Sequence, residues 1–138
     1  MLLGYTFDGS GPDGFGNWLI VLARIVASGA AVSAALTAIS MAASSLTDRR
    51  AFAAIGVVLV VLATPILAGA LVEGAGLSEN WRLIDVFSMP FELVFRIFGD
   101  EGNFPAVSTV AVIAVNVAWT VGGLGIVTWR YSRLVIAR

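Results

Sequence analysis

The chain has 138 residues, of which 59% are hydrophobic and only 12% are charged, and its net charge is −1. Soluble domains carry about a quarter charged residues, so this composition indicates an integral membrane protein surrounded by a lipid bilayer. The sequence contains neither cysteine nor histidine, which excludes disulfides, thiolate or imidazole catalysis and the usual zinc sites.

The first 17 residues are rich in Gly and Asp and lack the basic start of a secretory signal peptide. We expect a polar loop there. Within it, "GSGPDGFG" (9–16) superficially resembles a glycine-rich phosphate loop, but it lacks the Lys-Ser/Thr ending and no strand precedes it. We interpret it as a flexible loop without a nucleotide-binding role.

The first apolar run covers about residues 18–46 and exceeds the ~20 residues that cross a bilayer. Arg24 lies near its start, and two interpretations are open. Its side chain can snorkel to the membrane interface, or it can contact a substrate or partner.

Small residues follow the same run at every fourth position from Ala30. The repeat comprises Ala30, Ala34, Ala38 and Ala42, with Ala27, Ala31 and Ala35 alongside. Such stripes let helix backbones approach closely in lipid. We expect this stripe to face another helix.

The second apolar run covers about residues 51–72, and Pro65 predicts a kink within it. Three charges, Asp48, Arg49 and Arg50, separate it from the first run. Because the two apolar runs are each long enough to span, we expect this break to be a tight hairpin turn between antiparallel helices.

The next stretch, about residues 80–99, is rich in aromatic residues but carries four charges. Each charge would cost a few kcal/mol at the bilayer core, so we reject a full crossing. An amphipathic segment that lies in the interface or dips into it avoids that cost. We expect Pro90 to divide it into two short helices, Glu92 and Arg96 to form an i,i+4 pair, and its acids to be solvated.

The last apolar run, about residues 104–129, has no charge and is long enough to span. We place Pro105 in its first turn. Asn116 is the one amide side chain deep in a span, and it is open to two interpretations: an interhelical hydrogen bond or a lining role in a transport path. The "GGLG" at 122–125 permits close helix contact.

The charges divide between the two sides of this three-span arrangement. Five arginines, at 49, 50, 130, 133 and 138, lie on one side, and eight of the nine acids lie on the other. The positive-inside rule then puts the hairpin turn and the C-terminus in the cytoplasm of a cell (inner or plasma) membrane.

The sequence therefore predicts an all-α integral membrane bundle, with one membrane domain over residues 1–138. It has three transmembrane helices and an outward interfacial or re-entrant helical segment. No catalytic constellation is recognisable, so we expect neither an enzyme nor a cofactor, and no nucleic acid as partner.

Several stretches together resemble the C-terminal half of an ABC-2-type transporter permease, over nearly the whole chain. The most telling is "SSLTDRRAFAA", which is similar to the cytoplasmic turn between the fourth and fifth helices of many bacterial members. The segment from Trp81 to Phe98 resembles the outward helices that those permeases place before their sixth helix. The tail "WRYSRLVIAR" resembles the basic end of the family.

The resemblance implies a permease subunit, or a fragment of one, of an ATP-driven exporter that works with a separate ATPase subunit and a second permease half. It also implies that the loop with Asp48, Arg49 and Arg50 lies near the ATPase, although a purely topological role of these charges is also open. The first three helices of the family and its main coupling loop have no counterpart here. The alternative is a small non-transporting membrane anchor or assembly protein that binds partners through its alanine-striped helix.

Overall fold

The computed structural model describes residues 14–47 and 50–136, and within these ranges the chain is helical without strands. The elements, in order, are α1 (Phe15–Ser45), α2 (Arg50–Gly69), a π-helical turn (Ala70–Gly74), a 3-10 helix (Glu79–Ile84), α3 (Ser88–Phe98) and α4 (Thr109–Ile136). Three helical stretches are long and apolar enough to cross a membrane: Phe15–Ser45, Ala51–Gly74 and Thr109–Arg133. The predicted all-α membrane bundle with three spans is confirmed.

Helix α1 is the centre of the bundle, and its most extensive packing is against α4. The buried residues of α1 are all small: Ser28, Ala35, Ala38 and Ala42. At the middle of this seam, a Cβ atom added to Gly123 would lie only 2.7 Å from the carbonyl oxygen of Ala38. The two backbones therefore approach as closely as small residues allow, which is how helices gain packing energy in lipid.

The four-residue alanine repeat does not describe this seam correctly. Ala38 and Ala42 are buried as predicted, but Ala30 and Ala34 are exposed. Steps of four residues turn a helix by about 40° more than one full turn, so a strict repeat drifts off the contact face. The buried positions of α1 are instead separated by seven, three and four residues, spacings that stay on one helix face.

Helix α2 contains Pro65 and continues into the π-helical turn. Only 6% of its most apolar window is buried, against 11% in α1 and 17% in α4. Ala68 is its single buried residue among those described. Helix α2 is therefore the least covered of the three spans.

Helix α4 begins at Thr109, and Pro105 lies in a turn before it rather than in its first helical turn. The reason is a cap at Ser108, whose Oγ accepts a hydrogen bond from the Ala111 amide at 3.2 Å. A serine at this position satisfies one of the amides that a helix start leaves without a partner. The apolar run from Phe104 predicted that a span is present, whereas the cap at Ser108 determines that its helix begins at Thr109.

The segment between α2 and α4 does divide into two short helices, but the break is at Asp85 and not at Pro90. The Asp85 Oδ1 atom accepts hydrogen bonds from the amides of Phe87 (3.1 Å) and Ser88 (2.9 Å), which closes the start of α3. Pro90 lies in the first turn of α3, where a missing amide hydrogen costs no helical hydrogen bond.

Candidate functional site

Two hydrogen bonds fix the depth of α3 relative to the spans. The Val86 amide donates to Thr64 Oγ1 at 3.3 Å, and Thr64 lies about 7.5 Å inside the end of α2 at Gly69. The Asn116 side chain donates to the Met89 carbonyl at 3.0 Å, about 10 Å inside the start of α4. Helix α3 therefore begins inside the ends of both neighbouring spans and packs between them.

The amphipathic character of α3 is the reverse of what we expected. Its charged residues point inward: Glu92 is 0% exposed and the Arg96 side chain is 11% exposed. The outer surface of the helix is a phenylalanine ridge, formed by Phe87, Phe91, Phe95 and Phe98, each at least 36% exposed. The prediction that the acids of this segment are solvated is wrong for Asp85 and Glu92. Intramembrane charges face the protein interior, because lipid cannot solvate them.

The inward charges form an ion pair that also binds the loop after α3. Arg96 Nη2 lies 3.0 Å from Glu92 Oε1 and donates to the carbonyls of Phe104 (2.9 Å) and Val107 (3.2 Å). The Glu92 carboxylate accepts from the amides of Asn103 (2.9 Å) and Phe104 (3.4 Å). The predicted i,i+4 pair is present, and it binds four backbone groups of the non-helical loop after α3.

Gly102 permits this loop to close over the carboxylate. Its φ is +67°, a conformation that favours glycine, and a Cβ added there would collide with the Glu92 carboxylate. The loop and the ion pair are therefore fitted to each other, and a larger residue at position 102 would separate them.

Asn116 joins α3 to α4 and is only 5% exposed. Its Nδ2 donates to the Met89 carbonyl and, at 2.8 Å, to the Val112 carbonyl of its own helix. Its Oδ1 is buried without a hydrogen-bond partner. An amide that bonds across two helices at this depth fits the interhelical interpretation.

A second, more exposed charge cluster lies near the end of α2. Arg82 Nη2 donates to Glu73 Oε1 at 2.6 Å, its Nε donates to Glu79 Oε2 at 3.4 Å, and its guanidinium lies 5.2 Å from the centre of the Phe104 ring. The hydrogen bond to Glu73 is the main cause that raises the pKa of Arg82 above its ordinary value. This cluster connects the π-helical turn, the 3-10 helix and the loop before α4.

Arg24 contacts the other end of α3. Its Nη1 donates to the Phe98 carbonyl at 3.3 Å, and its side chain is exposed. A cation near the last carbonyls of a helix is favourable, because it complements the helix dipole. The partner that the structure gives Arg24 is therefore α3 itself.

The charged loop of Asp48, Arg49 and Arg50 lies almost entirely outside the described residues. Asp48 and Arg49 lie outside the described residues, and of Arg50 only the backbone at the start of α2 is described. Across residues 14–47 and 50–136, no three Asp, Glu, His or Cys side chains come together in a way that could hold a metal ion.

Sequence reasoning recognised the Glu92–Arg96 pair but not the site that it forms. The signals were present: an acid and an arginine one turn apart in an otherwise aromatic stretch, followed by a glycine at 102. Periodicity shows which residues share a helix face, but it does not show whether that face meets water or protein.

The fold and the buried polar cluster together define an all-α membrane bundle with three candidate spans and a short charged helix packed between the second and the third. No protein-family model, curated protein or solved structure matches the chain. Any assignment to a family therefore rests on the residues themselves.

Proposed function

We propose that this chain is a membrane-spanning permease subunit, or a part of one, of an ATP-driven ABC-2-type exporter. The observation that supports this proposal best is the buried Glu92–Arg96 pair of α3, which packs between the spans. Burying two charges costs several kcal/mol per ion before their attraction and hydrogen bonds offset it. A helix that only anchors a chain in lipid needs no such pair, whereas charges within membrane proteins are associated with transport paths.

The proposal assigns two partners to the chain, because its own sequence shows no nucleotide-binding motif. A separate ATPase subunit would supply the energy, and a second permease half would complete the transport path. The charged loop of Asp48, Arg49 and Arg50 is the segment proposed to face the ATPase. The re-entrant segment would lie on the opposite side of the membrane.

The direct test is co-purification of the tagged chain from its native host, followed by measurement of ATP hydrolysis in the recovered complex. Under the proposal, an ATPase subunit is recovered. The double change Arg49→Glu with Arg50→Glu weakens its association without abolishing it, because exposed ion pairs contribute only ~0.2–1 kcal/mol each. Recovery of no ATPase with the wild-type chain would overturn the proposal. An unchanged ATPase interaction in the double variant would leave the loop a purely topological role.

Orientation is a separate part of the proposal, with the C-terminus in the cytoplasm of the cell membrane. The chain has no native cysteine, so single cysteines are unambiguous reporters. In intact cells, a membrane-impermeant thiol reagent should label Ser78→Cys and should not label Ser132→Cys. The opposite labelling pattern would invert the orientation.

The second candidate is a non-transporting membrane anchor or assembly protein. The low coverage of α2 favours it, because only 6% of the most apolar window of that helix is buried, which leaves exposed apolar surface for lipid or for another protein. Co-purification separates the two candidates. An anchor would be recovered with a partner that lacks ATPase activity, and that result would make the anchor the better account.

A further inference from the structure

A groove runs beside the contact between α1 and α4, toward the C-terminal ends of these two helices. Its volume is ≈ 400 Å³, and its walls include Leu36, Ser40, Ser44 and Ser45 of α1 and Val127 and Tyr131 of α4. From Leu36 to Ser45 a helix rises by about 13 Å, which is close to half of the ~30 Å hydrocarbon thickness of a bilayer. The groove is therefore about as long as one leaflet is deep.

The polarity of the groove changes along its length. At the deep end its walls are Leu36 and Val127, and at the shallow end they are Ser44 and Tyr131. Tyr131 is 61% exposed and the nearby Trp129 is 52% exposed, and such aromatic residues are enriched where a span meets the membrane–water interface. The shallow end of the groove therefore lies at the interface, and the deep end lies in the hydrocarbon.

The hydroxyl groups give the groove wall a definite hydrogen-bonding character. Ser40 Oγ donates to the Leu36 carbonyl and Ser44 Oγ donates to the Ser40 carbonyl, each at 2.8 Å. Because these hydroxyl hydrogens are used within α1, the serine oxygens are left as acceptors for a ligand. The exposed phenol of Tyr131 can donate. The shallow end can therefore bind a group that carries both hydroxyl hydrogens and phosphate or ester oxygens.

This end of the bundle is also positively charged. Arg130 and Arg133 flank Tyr131 in α4, and within their described lengths neither α1 nor α4 contains an acidic residue. The loop at 48–50 adds two arginines and one acid. Positive charge attracts a negatively charged headgroup over about 8–10 Å at ordinary ionic strength. The arginines therefore favour an anionic ligand at the shallow end, whether or not they touch it.

We propose that this groove is a binding site for one anionic phospholipid. The headgroup with its phosphate lies at the Tyr131 end, and the upper part of an acyl chain lies against Leu36 and Val127. Anionic headgroups bind at basic pockets between transmembrane helices, and the groove volume is in the range of ordinary ligand sites, about 300–1,000 Å³. A helix of a partner protein does not fit inside the groove, since about 13 Å of a helix roughly 10 Å wide occupies roughly 1,000 Å³.

The test is lipid retention by the full chain, purified without any ATPase from nanodiscs that contain equal amounts of phosphatidylglycerol and phosphatidylcholine. Native mass spectrometry counts the lipid molecules that remain on each chain. Under the proposal one phosphatidylglycerol is retained, with at least a roughly fivefold preference over phosphatidylcholine, which is the effect of one arginine near a membrane surface. Equal retention of the two lipids, or retention of neither, would overturn the proposal.

A variant that fills the groove tests where the lipid binds. Ser44→Leu places a larger side chain at the shallow end and should abolish the retention of the lipid. Thr128→Leu is the matched control, because Thr128 is exposed toward the same end of the bundle, its hydroxyl likewise donates to a carbonyl of its own helix, and it does not line the groove. Unchanged retention in Ser44→Leu, or an equal loss in both variants, would contradict binding in the groove.

The charge of the site is tested separately. Arg130→Gln with Arg133→Gln should reduce the preference for phosphatidylglycerol to less than about twofold, whereas Arg130→Lys with Arg133→Lys keeps the charge and should keep the preference. Circular dichroism checks that both variants keep their helical content. A full preference in the Gln variant would overturn selection of an anionic lipid by these charges. None of these measurements depends on transport or on the orientation of the chain, so failure of the exporter proposal would leave them unaffected.

Discussion

The two ends of this bundle are held together by different physical means. At the α3 end, charged and amide side chains cross between elements, and the Glu92–Arg96 pair alone binds four backbone groups of one loop. Toward the other end, where α1 meets α2, the contact of α1 with α4 depends on small residues and close backbone approach at Ala38 and Gly123.

The difference follows from the backbone. Regular helices satisfy their own amides and carbonyls, so close packing is sufficient to join them in lipid. In the loop after α3, by contrast, the amides of Asn103 and Phe104 and the carbonyl of Val107 bond to the Glu92–Arg96 pair. The polar residues are therefore concentrated where the chain leaves regular helix, and the predictions below test this division.

The largest expected effect comes from removing the buried carboxylate. Glu92→Leu would leave the largely buried Arg96 without its ion-pair partner and the amides of Asn103 and Phe104 without their acceptor, which should lower the free energy of unfolding by about 3–5 kcal/mol. The measurement is denaturant unfolding in detergent, followed by helical circular dichroism. Glu79→Leu is the control, because Glu79 is an exposed partner of Arg82, and it should cost less than about 0.5 kcal/mol. If both variants lost a similar free energy of unfolding, the burial of Glu92 would not be the reason for its contribution to stability.

The next effect tests the close-packed seam. Gly123→Ala would place a methyl group 2.7 Å from the Ala38 carbonyl oxygen and should lower the free energy of unfolding by about 1–3 kcal/mol, because the helices must separate. Gly122→Ala is a matched control on the neighbouring residue, where an added Cβ meets nothing within 4 Å. Thermal unfolding of both variants in the same detergent gives the comparison. The seam interpretation fails if Gly122→Ala is the more harmful change.

A smaller effect is expected from the amide that joins α3 to α4. Asn116→Leu removes the hydrogen bond to the Met89 carbonyl and should cost roughly 0.6–1.7 kcal/mol, the range for such bonds between membrane helices. In Thr120→Val the lost hydroxyl bonds only within α4, to the Asn116 carbonyl, so its cost should be lower. Hydrogen exchange of the α3 amides would report the local loosening. Unchanged exchange in Asn116→Leu would show that the amide does not hold α3 in place.

The smallest effect is expected at the exposed cluster. Arg82→Gln should lower the free energy of unfolding by about 0.2–1 kcal/mol, and high salt should reduce the difference from wild type. Because pairing with Glu73 raises the pKa of Arg82, this contribution is present below the unfolded pKa and is lost only in strongly alkaline solution. Unfolding measured between about pH 5 and pH 9 should therefore show no change that depends on Arg82. A strong pH dependence that Arg82→Gln abolishes would contradict this assignment.

The spans could be predicted from the sequence because hydropathy and length are local properties. The burial of α3 could not be predicted in the same way. In water the charged face of a helix is the exposed face, whereas here Glu92 and Arg96 face protein and Phe91 and Phe95 face outward. The spacing of charged and apolar residues is the same for a helix in water and for α3. Only the surroundings of the helix therefore decide which of its two faces is buried.

Helix boundaries illustrate the same limit on a smaller scale. Pro90 does not divide the segment, and Pro105 does not begin α4. The boundaries depend instead on backbone amides: those of Phe87 and Ser88 donate to Asp85 Oδ1, and that of Ala111 donates to Ser108 Oγ. Asp85 and Ser108 are typical capping residues, and their position just before an apolar helical stretch was a usable signal.

The partners of Glu92 also constrain the order in which the protein can be assembled during synthesis. The residues that bond to α3 come later in the chain than α3 itself. Glu92 bonds to the amides of Asn103 and Phe104, and the Met89 carbonyl bonds to Asn116 of α4. When α3 leaves the ribosome, its buried charges have only each other, and lipid would not solvate them. We therefore expect α3 to stay outside the hydrocarbon until α4 has been made, so that insertion of the last span and packing of α3 occur as one event.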